Sequence, residues 1–448
     1  MAGLTGGIPR RAWPGLDAVS LLTVYLVLLL FIESRLVIEP LGGAGSPAML
    51  VALVALAWWA FGHLRRDRPT GIGPQPLRTA LLATLLAFLA SYVAAMSRAI
   101  TPLESGTAQL GMITVLGWMG VGLLTSDGVP HLARFRRLAF RLVVLVGVMA
   151  AIGVAQFVTH DTLVRAFHIP GLTPNTTLMD LGLREGFTRP FGTALHPIEY
   201  GAVLTMVLPL AVTWARHAKG VPLLLRWAPV TLIGLGAVLS VSRSALICGA
   251  VGLTVLAFGL GARARSVLLV SVVAVFGLVA LTVPGMLGAI QGLFLSVGTD
   301  NSVASRTGSY SMAMEFFGSD PVFGRGYSTF LPIYRIFDNQ YLLLLVEVGL
   351  VGLVCVVTTL VVGVRCARRV RRRTDDPALR ELAQALAAGL SGGALGLAFY
   401  DGFSFPMATG VMFVMLGMVG ALHRLTEPAP PPQPVRVLVP QSSRAGRP

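Results

Sequence analysis

The chain has 448 residues, 54% hydrophobic and only 12% charged, with a formal net charge of +15. That apolar share excludes an ordinary soluble core. The basic residues sit in short loops beside apolar runs, where membrane orientation and anionic lipid explain them, and this argues against nucleic acid as a partner. Cys248, Cys355 and Cys366 have no metal-ligand spacing and read as packing residues inside or at the ends of apolar runs.

The apolar runs predict an all-α polytopic membrane protein over residues 1–425, with about twelve transmembrane helices. Residues 1–14 are polar and Gly-rich and residues 21–32 lack a small-residue cleavage site, so no cleavable signal peptide is expected. Arg10 and Arg11 hold the N-terminus inside, ahead of a first span at about 19–38. The second span, about 47–61, ends in the basic stretch 63–68, an inner loop. The third and fourth, about 77–96 and 110–124, lead to Arg134, Arg136 and Arg137, again inside. The fifth covers about 138–158.

An outer loop at about 159–197 follows, with the turn formers Pro170, Gly171, Pro174 and Asn175. The sixth span, about 198–215, returns to Arg216 and Lys219. The seventh, about 228–241, reaches the tight outer turn Ser242-Arg243-Ser244. The eighth and ninth lie at about 245–261 and 267–283. The longest extracytoplasmic loop, about 284–338, is expected to contain short helices; residues 302–317 put Val303, Tyr310, Met314 and Phe317 on one face, suited to the membrane surface. The tenth span, about 340–364, ends in the strongest inner anchor, the arginines of 365–373. The eleventh and twelfth lie at about 382–400 and 407–422. Residues 426–448 form a Pro/Arg-rich tail expected to be disordered and cytoplasmic, so both termini lie inside.

Against this topology, Arg189, Arg243, Arg306 and Arg325 sit on the wrong side for basic residues. A guanidinium fits phosphate oxygens, so these exceptions suggest an anion site. Pro197 suits the first turn of the sixth span, and Arg189 beside that positive helix end would strengthen such a site. The plainer alternative is an arginine snorkelling to headgroups. His196 and Glu199, three apart, share a helix face, but too few further ligands accompany them for a metal. Arg243, fixed between two serines, needs a partner at the membrane boundary: phosphate, or Glu347 or Asp401 in a structural ion pair. Asp338 precedes the tenth span either as a helix cap, which spacing favours, or as a carboxylate that takes a proton from a hydroxyl.

Four segments occur in order: Arg189-Pro190-Phe191-Gly192-Thr193-Ala194-Leu195-His196-Pro197; Ser242-Arg243-Ser244; Arg306 followed by Phe323-Gly324-Arg325-Gly326-Tyr327; and Asp338-Asn339-Gln340-Tyr341-Leu342 running on to Glu347-Val348-Gly349-Leu350-Val351-Gly352. In sequence and spacing they resemble the O-antigen ligase and polymerase family of bacterial envelope glycan assembly, over roughly residues 189–352. The resemblance implies a GT-C-type inverting glycosyltransferase that needs neither metal nor cofactor. It would use an oligosaccharide or polysaccharide donor on polyprenyl (undecaprenyl) diphosphate and a glycan, lipid or protein acceptor, at the outer face of the cytoplasmic membrane. Arg189, Arg243 and Arg306 would then hold the leaving group and Asp338 would act as base. Arg325, His196, Glu199, Asn339, Tyr341 and Glu347 would bind substrate. Family members often carry histidine where this chain has Asp338; aspartate can accept a proton but not become a cation, which leaves ligase and polymerase both open.

The rival class is a transporter or flippase for an anionic lipid-linked substrate. It predicts charge near the membrane midplane and repeated halves, whereas the exceptional arginines cluster at one face and no internal repeat is visible. A non-catalytic scaffold would leave those arginines unexplained.

Overall fold

The computed structural model describes residues 17–64, 75–164, 169–176, 180–295 and 301–427, with the side chains of the last segment described from 309 onward. Arg10, Arg11, the basic loop after residue 64 and the tail beyond 427 lie outside the described residues. Long apolar segments in lipid must satisfy their backbone polar groups internally, and these do so as helices. In chain order they are α1 (Ala18–Phe31), α2 (Pro47–Leu64), α3 (Pro76–Met96), α4 (Pro102–Gly128), α5 (Leu132–Thr159), α6 (Pro197–His217), α7 (Leu223–Leu239), α8 (Arg243–Ala257), α9 (Ala262–Thr282), α10 (Met286–Leu295), α11 (Asn301–Ser319), α12 (Gln340–Glu347), α13 (Gly349–Arg373), α14 (Pro377–Gly396) and α15 (Pro406–Leu425). Among the described residues, eight of these are long and apolar enough to cross a membrane: α2 to α6, α9, α13 and α15. Helices α1, α7 and α8 are apolar but shorter. The all-α polytopic architecture expected from the sequence is therefore the observed one. Two-residue strands add small ribbons: β1 (Leu36–Val37) pairs with β2 (Thr173–Pro174), and β3 (Leu183–Arg184) with β4 (Phe187–Thr188).

Helices α6 and α15 form the centre of the bundle, and α2 and α9 turn most of their surface outward. Close approach around α6 needs small residues: a Cβ on Gly389 of α14 would stand 2.2 Å from the Met206 carbonyl oxygen, and one on Gly392 would stand 2.8 Å from that of Cys248. Charges gather at the two ends. At one end Arg134 pairs with Asp17, the cap of α1; Arg136 with Asp376, the cap of α14, at 3.0 Å; and Arg216 and His217 share Glu381, each at 2.9 Å. Arg424 of α15 donates to the carbonyls of Ser126 (3.2 Å) and Val129 (2.5 Å) there. Both described ends of the chain thus meet at one end of the bundle, hereafter the termini end. The described parts of the two long connections, between α5 and α6 and between α9 and α12, occupy the opposite, loop end.

One expectation is corrected. The tenth span is not continuous: the helix breaks at Val348 into α12 and α13. A break in a membrane helix frees polar backbone groups, which here are closed by residues 320–326. Leu350 N–H donates to Pro321 O (2.9 Å) and Val351 N–H to Val322 O (3.2 Å). In return Arg325 N–H donates to Val346 O (3.0 Å) and Gly326 N–H to Glu347 O (2.7 Å), with Ser91 Oγ of α3 adding a second donor to the Glu347 carbonyl at 3.0 Å. Gly349 has φ +64°, and a Cβ there would lie 2.4 Å from Val322 O; at Gly324, with φ +68°, a Cβ would lie 2.5 Å from Glu347 C. The Gly-Arg-Gly element and the Glu347–Gly352 element are two halves of one backbone lock.

Candidate functional site

Residues 189–197 reach α6 from the loop end and are fixed from below by Gln156 of α5, which is fully buried. Its Oε1 accepts the N–H groups of Phe191 (3.1 Å) and Gly192 (2.7 Å), while its Nε2 donates to the carbonyls of Gly192 (2.7 Å) and Thr162 (2.8 Å). Thr193 Oγ1 adds a hydrogen bond to Leu30 O of α1. A loop held this way can aim a side chain reproducibly. Arg189, anchored by its N–H on Gly182 O at 2.9 Å, sends Nε to the Ser240 carbonyl (3.4 Å) at the turn between α7 and α8. Its Nη2 is buried and has no hydrogen-bond partner among the described residues.

That turn is tightly built. Val241 has φ +46°, a strained setting for a β-branched residue. Ser242 caps α8 by accepting Ala245 N–H at 3.4 Å and pairs with Ser244 Oγ at 3.1 Å. Arg243 is the first residue of α8, so the structure brings Arg189 and Arg243 to the same turn. Burial, and then the nearby Arg184, lower the Arg189 pKa to about 10, so the side chain keeps its charge at neutral pH. Burial and the charge of Arg189 lower His196 to about 4, which leaves that imidazole neutral. His196 caps α6, its Nδ1 accepting Ile198 N–H at 3.1 Å.

Beneath the turn lies a cleft of about 530 Å³ walled by α6 to α10. Ala237 and Val238 before the turn, and Ala245 and Leu246 after it, open into the cleft; its other walls include Trp227 and Phe276. The result is a cationic turn above an apolar slot.

The second half of the site forms where α12 meets the α14–α15 loop. Gln340 N–H donates to Leu397 O (2.7 Å) and Tyr400 O (3.2 Å), and Gln340 Oε1 accepts Phe403 N–H at 2.7 Å. Asp338 is therefore held beside Asp401. Burial, together with the neighbouring Asp338 charge, pushes the Asp401 carboxyl up to about 6, against the pull of a Ser404 hydrogen bond. Asp338 is not the helix cap that its spacing favoured: Asn339 caps α12, its Oδ1 accepting the N–H groups of Tyr341 (3.0 Å) and Leu342 (3.2 Å). The α14–α15 loop also ties this half to the first. The His196 ring stacks on Phe405 at 5.8 Å, and Glu199 Oε1 accepts Met407 N–H at 2.7 Å.

The remaining sequence candidates take supporting positions. Glu199, with Oε2 on Leu195 N–H at 3.0 Å, joins the starts of α6 and α15. Arg325 pairs with Glu104 of α4 at 3.1 Å and lies over the Phe316 ring at 4.7 Å. Tyr341 OH donates to Ala394 O at 2.6 Å, and Glu347 Oε1 accepts Phe330 N–H at 3.3 Å. Arg306 falls on the first turns of α11, and its side chain lies outside the described ones. Among the described residues no three His, Cys, Asp or Glu side chains gather as a metal site would require. Sequence reading missed Gln156 and Gln340, although a lone amide inside an apolar run is itself a signal of a buried contact. It saw Asp401 only as a possible ion-pair partner.

Fold and site together define a polytopic α-helical membrane protein with a cationic turn over an apolar cleft. Residues 228–357 match the family model described as O-antigen ligase, in line with the resemblance seen in the four sequence segments. That match supports O-antigen-ligase-like glycan transfer at the level of the family. The matched region contains the Ser242–Ser244 turn, the Gly324–Gly326 element and Asp338 to Glu347; Arg189 precedes it and Asp401 follows it. No curated protein matches the chain.

Proposed function

We propose that the protein transfers a glycan from a polyprenyl diphosphate to an acceptor hydroxyl at the outer face of the cytoplasmic membrane. The observation that carries this reading is the pairing of Arg189 and Arg243 at one turn directly above an apolar cleft of about 530 Å³. A polyprenyl diphosphate has the matching shape: a dianionic head for the arginines and a hydrocarbon tail for the cleft. The buried, unbonded Nη2 of Arg189 is a donor that such a head would satisfy.

In this reading the acceptor oxygen attacks the anomeric carbon, its proton passes to the Asp338 carboxylate, and the bond from that carbon to the diphosphate oxygen breaks. The electron pair leaves with the diphosphate, so one displacement inverts the anomeric centre. Fixed cations act where this charge develops and can replace a metal. Arg306, by its place in the family pattern, is the third candidate cation. Asp401 keeps Asp338 company from the α14–α15 loop, and His196, being neutral, serves as a hydrogen-bonding group near the head. The long connection between α9 and α12 would cover the site and limit competition from water.

Purified protein incubated with lipid-linked glycan and defined acceptors, with products sized by mass spectrometry, tests the reading. Lengthened glycan identifies a polymerase and transfer to one defined acceptor identifies a ligase. Loss of donor with neither product contradicts both.

A further inference from the structure

At the termini end several of the described cations have a partner within the protein. Arg134 has Asp17, Arg136 has Asp376, Arg216 has Glu381, Arg78 faces Asp127 at 3.5 Å, and Arg424 is held by two carbonyls. Arg141 differs. It is the tenth residue of α5, about 14 Å of helix from its start at 1.5 Å per residue. Its Nη1 donates to Thr23 Oγ1 of α1 at 2.6 Å, a neutral hydroxyl that itself donates to Val19 O at 2.7 Å. Among the described residues no carboxylate pairs with it. A guanidinium offers five donors, and a cation at this depth is costly without an anion.

The surroundings face lipid. Phe140 and Val148 of α5 and Val24 of α1 are exposed at 40%, 46% and 47%, too apolar to face water. Ser20, Thr23, Val24, Phe140, Arg141 and Val144 line a cleft of about 360 Å³ between α1 and α5. Helical side chains lean toward the helix N-terminus, which points Arg141 back toward the headgroup level of the termini end.

We propose that Arg141 and this cleft bind the phosphate of an anionic phospholipid in the leaflet at the termini end, with an acyl chain along Phe140 and Val144. The site lies at the opposite end of the bundle from the proposed glycan-transfer site and stands independently of it. Its occupant is a phosphate with a chain attached: the cation supplies the charge complement, and the apolar cleft beside it accounts for the chain.

The test is thermal unfolding of the full-length protein in neutral detergent, titrated with phosphatidylglycerol, phosphatidylcholine or inorganic phosphate. The expected result is a saturable rise in Tm with phosphatidylglycerol and much smaller rises with the other two. Arg141→Gln should weaken half-saturation roughly tenfold, as loss of one charge-assisted contact implies, while Arg372→Gln, in the exposed basic stretch of α13, should not. Thr23→Val should leave the phosphatidylglycerol response intact, because the lipid supplies the missing acceptor. An unchanged response in Arg141→Gln overturns the proposal. So does a Thr23→Val variant that behaves like Arg141→Gln, which would make the Arg141–Thr23 bond purely structural. Equal stabilisation by phosphatidylcholine overturns the preference for anionic lipid, and equal stabilisation by inorganic phosphate overturns the lipid assignment.

Discussion

At the scale of single residues, two neighbours divide roles that spacing alone could not separate. Asn339 accepts two backbone N–H groups and caps α12, so Asp338 is released from that duty. Asn339→Ala should therefore lower stability by about 1 kcal/mol, the usual cost of a lost cap, read as a reduced Tm. Asp338→Asn should leave Tm unchanged and lower turnover by roughly a hundredfold, since an amide cannot accept the proton. Parent-like turnover in Asp338→Asn would make Asp338 structural. Asp401 carries a pH signature. Its folded-state carboxyl lies at about 6, above its ordinary value of 3.8. The protonated form is thus favoured by folding; this contribution is full below the unfolded value and is lost as pH rises through about 6. Thermal stability should fall across that window, and Asp401→Asn should flatten the fall. A slope unchanged in the variant would assign it to another group.

At the scale of elements, the α12–α13 break is the feature whose rigidity matters most, because it fixes the spacing between the Gly324–Gly326 loop and Asp338. Gly349→Ala puts a Cβ 2.4 Å from Val322 O at a φ of +64°. The strain is of order 1–3 kcal/mol, and the expected outcome is a lower Tm together with lower turnover; a neutral effect on both would mean the lock can yield. The same element marks what the sequence could and could not reveal. Hydrophobic runs and flanking arginines gave the helices their order and their ends, since burial and charge placement are local and periodic. The break at Val348 was invisible because the apolar run continues on both sides of Glu347, through Leu342 to Val346 and Val348 to Val357, and the carbonyls that make the break tolerable come from residues 320–326. The site was partly legible: Arg189 and Arg243 stood out by violating the charge rule, but that they share one turn depends on Gln156 pinning residues 191–192 from another helix. The nearness of Asp401 to Asp338 likewise follows from Gln340 bridging two helix ends, a contact between residues about sixty apart in sequence.

At the scale of the whole molecule, ion pairs at one end of the bundle and the locked loops at the other give the protein a fixed polarity. By the positive-inside rule the basic residues of the termini end predict that this end faces the cytoplasm. Single cysteines at exposed positions in loop 283–339 should label with a membrane-impermeant reagent from outside intact cells, and cysteines after Arg373 should not; the reverse pattern would put the cationic turn on the wrong side for an extracytoplasmic donor. The central claim is that Arg189 and Arg243 hold the diphosphate of a lipid-linked glycan. It is met most directly by glycan transfer in a reconstituted assay containing chelator, comparing the parent with Arg189→Ala and Arg243→Ala. The parent should turn over in chelator, and each alanine variant should lose roughly a hundredfold, about 3 kcal/mol of charge stabilisation, while keeping its Tm. A strict requirement for a divalent metal, or alanine variants that transfer glycan at the parent rate, would contradict it.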